Sequence, residues 1–364
     1  MKKNYLFIFL IISSLSIAQS GAPASPYYNG FNFNQTGAAL KNALSNLTIA
    51  KHTNFLSYTP EVWNATKITD LDPNNSNNVL LIYGYENGLD GDITNDLFRD
   101  KNTNGGNNGD WNREHVYAKA LGTPNLVDGG SGADSDAGED AHHLRSADVQ
   151  RNSARGSLKF APGSGNSSTV IGGWYPGDQW KGDVARMMMY MYLRYGNQCL
   201  PNNVGTGATV VSDPNMISLF LQWNAEDPVS QFEDNRNTHH NSNSSTAQGN
   251  RNPFIDNPYL ATVIWGGAPA QNRWPSVYLS NSVFDLIANV TIYPNPSNDH
   301  KINIETKIVL DEIELINLNG QLIQIIKKPT SNNDTYSLEN LPEGFYFLRI
   351  TSENQTVIKK IIIN

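Results

Sequence analysis

The chain has 364 residues, 39% hydrophobic and 16% charged, and its 26 Lys and Arg against 34 Asp and Glu leave a formal charge of −8. Seven Trp, 16 Tyr and 13 Phe supply core material that a disordered chain lacks, and the length accommodates one large domain plus a smaller one. The acidic balance argues at first against a nucleic-acid partner, which ordinarily calls for a basic surface.

Lys2 and Lys3, an apolar run from Tyr5 to about Leu15 and the small-residue stretch Ser16-Ile17-Ala18 form an export signal with cleavage expected after Ala18. A run of about 11 apolar residues is too short for a bilayer core that needs roughly 20. Residues 1–18 are therefore read as a signal peptide, and the mature protein as soluble and exported. Cys199 is the only cysteine, which excludes an intramolecular disulfide. It follows the Met-rich stretch Met187–Leu193, read as a core helix, and is expected to be a buried or semi-buried thiol rather than a reactive one.

The composition changes after about Ile287. Residues 290–364 hold short apolar runs separated by turn signals such as Asn319-Gly320 and Pro342-Glu343-Gly344, the pattern of a small β-sandwich. Tyr293-Pro294-Asn295-Pro296, Leu318-Asn319-Gly320-Gln321 and Leu341-Pro342-Glu343-Gly344-Phe345-Tyr346, in that order, resemble the type IX secretion sorting domain of Bacteroidetes. The resemblance implies that residues 290–364 are an address read by the secretion machinery and carry no chemistry.

Residues 19–285 lie between these ends, and their polar residues crowd one region. Asn102–Asn112 and Asp128–Asp140 are Gly/Asn/Asp-rich loops; the second lacks the spacing of a calcium loop and is read as a solvated turn. Between them sits Trp111-Asn112-Arg113-Glu114-His115-Val116-Tyr117, and Asp140-Ala141-His142-His143-Leu144-Arg145 follows, running on to Asn152-Ser153-Ala154-Arg155-Gly156. The segment 145–157 reads as a helix ending near Gly156. On it Leu144, Ala147, Ala154 and Leu158 share an apolar face, and Arg145, Asp148, Asn152 and Arg155 a polar one.

These residue types suit one chemistry. Glu114 and Asn152 offer hard oxygen ligands for Mg²⁺ or Ca²⁺, and His115 can take a proton from water at neutral pH. Arg145, Arg155 and Arg113 can hold a phosphate. Metal, base and guanidinium together are the parts for hydrolysing a phosphodiester. Zinc competes through His142-His143 and His239-His240, but no His-Glu-x-x-His or cysteine set accompanies them. His239 and His240 lie beside an Asn/Ser-rich stretch and are read as part of a mobile loop.

The blocks Arg113–Val116, Asp140–Arg145 and Asn152–Gly156, followed by Lys181–Arg186 and Gln248–Phe254, resemble the endonuclease I family. That resemblance implies an α+β fold, with a ββα-metal (His-Me finger) core embedded in a mainly helical nuclease domain and, here, the small β-sandwich behind it. It implies His115 as general base, Glu114 and Asn152 as metal ligands, and His142 and Arg155 as supporting groups. Some periplasmic members hold phosphate with an arginine between the two core motifs. Here Lys119 is the only Lys or Arg between Glu114 and Leu144, so Arg145 or another arginine substitutes or the contact is weaker.

The expected protein is a secreted or surface-attached monomer that cuts DNA and RNA with little sequence preference, leaves 5′-phosphate ends and uses Mg²⁺, with Ca²⁺ or Mn²⁺ as alternatives. A secreted ribonuclease on the same fold and a non-catalytic surface-binding protein are the competing readings. The overall −8 does not exclude nucleic acid, because Arg145, Arg151, Arg155 and Lys159 stand against Asp148 alone within 145–159.

Overall fold

The computed structural model describes residues 21–129, 137–278, 290–306, 308–352 and 355–364. The expected signal peptide, residues 130–136 of the acidic loop and residues 279–289 lie outside this range. The chain divides into two compact units, Met1–Val277 and Tyr278–Asn364. Among the described residues no helix is long and apolar enough to cross a membrane.

The first unit opens with helix α1 (Gly37–Lys51), which buries Leu40, Leu44 and Thr48 at four-residue spacing. Helix α2 (Trp63–Thr69) leads into an antiparallel sheet of β1 (Leu71–Asp72), β2 (Asn75–Leu80) and β3 (Phe98–Asp100), in that order. Next come β4 (Trp111–His115) and β5 (Leu144–Asp148), an antiparallel pair in which Glu114 faces Arg145 and His115 faces Leu144. Helix α3 (Val149–Arg155) follows β5 without a loop. Trp111 packs edge-on against Trp63 at 5.1 Å, and Leu144 joins Leu56, Val62, Ala65 and Ala141 in a buried cluster.

The segment 145–157 is thus not one helix. Residues up to Asp148 are strand, and Asp148 caps the helix by accepting from the Arg151 amide. Leu144 and Ala147 are buried in the strand while Ala154 and Leu158 are exposed, so the predicted apolar face does not exist. The cause is burial of β5 on both sides, which removes the period-two alternation that marks a strand.

Helix α4 (Lys181–Tyr195) is buried almost all round, Met187 to Leu193 included, and ends at Gly196 with φ 56°. Cys199 beyond it is buried. Helix α5 (Ser218–Glu226) packs on α4; Gly182 permits the approach, since a Cβ there would stand 2.5 Å from the Asp227 carbonyl oxygen. Helix α6 (Gln231–His240) starts with a capping box between Ser230 and Glu233, and Glu233 also takes a two-pronged pair from Arg186 at 2.6 and 2.7 Å. His239 and His240 end this helix and His240 is wholly buried, which corrects their assignment to a mobile loop.

One buried carboxylate fastens β5 to these helices. Asp70, at the end of α2, accepts from the Ser146 amide at 2.6 Å, the Ser146 hydroxyl at 2.9 Å and Arg145 Nε at 3.3 Å. Its other oxygen accepts from Arg236 of α6, and Arg236 donates onward to the carbonyls of Ala141 and Leu144. Arg145 also pairs with Asp183 of α4 at 3.2 Å.

The second unit is two antiparallel sheets around one core. Strands Thr291–Tyr293, Ile302–Glu305 and Thr335–Leu338 form one; Leu322–Lys327, Glu312–Asn317, Gly344–Ser352 and Gln355–Ile363 form the other. Ile302, Ile304, Tyr336 and Leu338 of the first meet Ile313, Leu315, Leu348, Ile350 and Ile361 of the second, the alternation of a sandwich.

Asp70→Ala strips buried Arg236 of its carboxylate and leaves buried Arg145 with Asp183 alone. It should cost the first unit about 3–5 kcal/mol, read as a lower urea midpoint; a loss under about 1 kcal/mol would show that the cluster does not anchor β5.

Candidate active site

The end of β4, residues 118–120 and the second half of α3 with the two residues after it form the walls of a cleft of about 250 Å³ lined by Glu114, His115, Asn152, Arg113, Lys119 and Arg155, with Ala118, Ala120, Gly156 and Ser157. Strand pairing places Glu114 and His115 at the end of β4, and the Asp148 cap starts α3 so that Asn152 arrives one turn later.

Glu114 is 2% exposed. Its Oε1 accepts from the Tyr83 hydroxyl at 2.9 Å and stands 3.1 Å from Arg155 Nη1, which leaves Oε2 for a ligand. Burial pushes its carboxyl up to about 7, a rise that Arg155 and Tyr83 reduce without cancelling. Arg155 also donates to the carbonyls of His115 and Val116 at 3.1 and 2.9 Å, so one guanidinium clamps the strand end to the helix end. Tyr83 reaches Glu114 from a backbone φ of 71°, a costly region for an aromatic residue.

Asn152 donates through Nδ2 to Asn112 Oδ1 at 2.7 Å, and its own carbonyl oxygen is thereby left for a ligand. Glu114 Oε2 and Asn152 Oδ1 make an all-oxygen donor pair that fits a hard divalent cation retaining several waters. Among the described residues no cluster of three or more His, Cys, Asp or Glu side chains has metal-holding spacing.

His115 Nε2 lies 2.8 Å from the Gly138 carbonyl. A carbonyl only accepts, so Nε2 carries the proton and Nδ1 the lone pair. Burial, then the neighbouring His143, push the imidazolium down to about 3, so the ring is neutral at physiological pH. Tyr58 stacks on it at 5.4 Å.

Arg145 is 0% exposed and held by Asp70 and Asp183; it cannot reach a phosphate in the cleft, which corrects its expected role. His142 is 4% exposed and does not line the cleft. Its Nε2 bonds Asn250 Oδ1 at 3.1 Å and its ring lies 4.5 Å from those of Tyr190 and His240, so its support is structural. The other basic residues counted within 145–159 do not line the cleft: Arg151 donates to Thr94 and Ser167 and Lys159 to the Asn202 carbonyl.

Tyr83, Asn112 and Gly138 escaped the sequence reading. Asn112 left a trace, since it stands two residues before Glu114 and shares its strand face; Tyr83 and Gly138 act across the fold and left none.

The sequence pattern of the Endonuclease I family matches residues 36–259, and that of the secretion system C-terminal sorting domain matches residues 291–364. A Bacillus subtilis protein named extracellular ribonuclease is 44% identical over 266 residues, 70% of this chain and 84% of the relative. A protein of the same name from Bacillus amyloliquefaciens is 41% identical over 263 residues, 70% of this chain and 82% of the relative. The chain belongs to the Endonuclease I family and is a secreted nuclease, a hydrolase of phosphodiester bonds carrying a C-terminal sorting domain.

Proposed function

We propose that the protein is a divalent-metal-dependent endonuclease that cuts RNA and DNA with little sequence preference and leaves 5′-phosphate ends, and that β4, β5 and α3 are its ββα-metal core. The observation that carries this reading is the meeting of Glu114, His115 and Asn152 in one cleft, each with one polar atom tied to the protein and another left for ligand, water or substrate. Two relatives named extracellular ribonuclease support RNA as a substrate.

His115 Nδ1 takes a proton from a water as the water oxygen bonds to phosphorus. The P–O3′ bond breaks, the 3′-oxygen is protonated from solvent, and the proton on His115 returns to solvent. The Gly138 carbonyl holds the imidazole in the required tautomer and stabilises the charge it gains. Glu114 and Asn152 would hold a divalent ion, with Mg²⁺ the first choice and Mn²⁺ or Ca²⁺ alternatives, which would supply positive charge to stabilise the reacting phosphate. Asn112, Tyr83 and Arg155 hold the two ligands in place.

His115→Ala should lower kcat on matched RNA and DNA oligonucleotides by about 10²–10⁴-fold, and EDTA should stop cleavage of both. Near-normal hydrolysis by that variant would refute the base assignment, and cleavage of RNA alone would restrict the protein to a ribonuclease. Because Glu114 must shed its proton to hold a cation, the Mg²⁺ concentration for half-maximal rate should rise about tenfold per pH unit below 7 and level off above it. A requirement independent of pH between 5.5 and 8 would show that Glu114 is already ionised across that range and would contradict its raised pKa.

A further inference from the structure

Three cations line the cleft, and two are committed elsewhere. Arg155 is 1% exposed and spent on Glu114 and two carbonyls. Arg113 is sandwiched between the rings of Tyr58 and Trp63, at 3.5 and 4.1 Å, and donates to the Tyr58 carbonyl and, at 3.2 Å, to Thr59 Oγ1.

Lys119 differs. It heads a short turn, Lys119–Leu121, whose carbonyl accepts from the amides of Gly122 and Leu126 at 3.3 and 3.0 Å, so its backbone is pinned while its side chain is 40% exposed. Among the described residues its ammonium meets one carboxylate, Asp128 at 2.6 Å, itself 24% exposed. Asp128 is held near the cleft because the next amide, Gly129, donates to buried Glu139 Oε1 at 2.7 Å, an oxygen that also accepts from the Tyr58 amide at 3.2 Å. The Asp128 charge is felt by His115, Arg113 and Tyr58, which puts an anion among the groups that would surround a bound phosphate.

We propose that Lys119 grips a phosphate of the nucleic-acid backbone in the cleft and that the Asp128 carboxylate stands in that phosphate's place until substrate arrives. A phosphodiester carries one negative charge and acceptor oxygens, as a carboxylate does, so substrate takes the ammonium and Asp128 returns to solvent. A half-exposed pair is weak enough for this exchange. The assignment rests on the nuclease reading and identifies the cation that the arginines of α3 and β5 cannot supply.

The test compares wild type with Lys119→Ala, Lys119→Arg and Asp128→Asn as full chains. Binding of a fluorescein-labelled single-stranded oligonucleotide is read by anisotropy with EDTA present and salt varied, and cleavage is then read in Mg²⁺. Lys119→Ala should flatten the dependence of log Kd on log salt by about 0.7, the loss of one phosphate contact on a single strand. It should lower kcat/KM about 10- to 100-fold, with Mn²⁺ affinity unchanged; Lys119→Arg should restore most of both. Asp128→Asn should tighten binding a few-fold at low salt. An unchanged salt slope and a kcat/KM within about twofold for Lys119→Ala overturn the proposal, as does weaker binding by Asp128→Asn. A wild type inert in Mg²⁺, Mn²⁺ and Ca²⁺ sinks the nuclease reading instead, and the EDTA binding series still decides Lys119.

Discussion

The buried pair between Arg155 and Glu114, 3.1 Å apart, is the constraint on which the cleft depends. Removing both charges from water is costly, and the cost is offset only where every remaining donor and acceptor finds a partner. Arg155 meets most of that demand, with Nη1 and Nη2 on the carbonyls of His115 and Val116 while its buried Nε has no partner, and Glu114 Oε1 takes the Tyr83 hydroxyl. The end of α3 is thereby locked to the end of β4. The same contacts occupy one carboxylate oxygen and leave the other for a ligand, so stability and ligand geometry come from a single arrangement.

Behind this pair lies a second polar layer that keeps β5 in place. Asp70 joins Arg145, Arg236 and Ser146, drawing α2, α4 and α6 onto one strand. An arginine on β5 beside a nuclease cleft invites assignment to phosphate, yet Arg145 faces the core because its strand is covered on both sides. Charge in the linear sequence is therefore a poor guide to charge in the cleft. A net charge of −8 is compatible with a nucleic-acid substrate, since net charge says nothing of the local field in one cleft.

The parts legible in the sequence were those with a local signature. The Glu114-His115 pair, Asn152, the Met-rich core helix and the sandwich strands all carry their information within a few residues. The β5–α3 boundary was misread because Leu144–Asp148 has no alternation to show and its polar residues happen to fit a helical period. Asp148 was the available sign, a capping residue just ahead of Val149. Tyr83 and Gly138 act across 31 and 23 residues of sequence, and only the folded chain brings them to Glu114 and His115.

The central claim is that Glu114 and Asn152 jointly hold one divalent ion. Calorimetric titration of Mn²⁺ into the EDTA-stripped full chain tests it most directly, with Glu114→Gln and Asn152→Ala beside the wild type. The account predicts one ion per chain, displaced by Mg²⁺, with affinity reduced about 10- to 100-fold or more in each variant. Stoichiometric binding that persists unchanged in Glu114→Gln would contradict it.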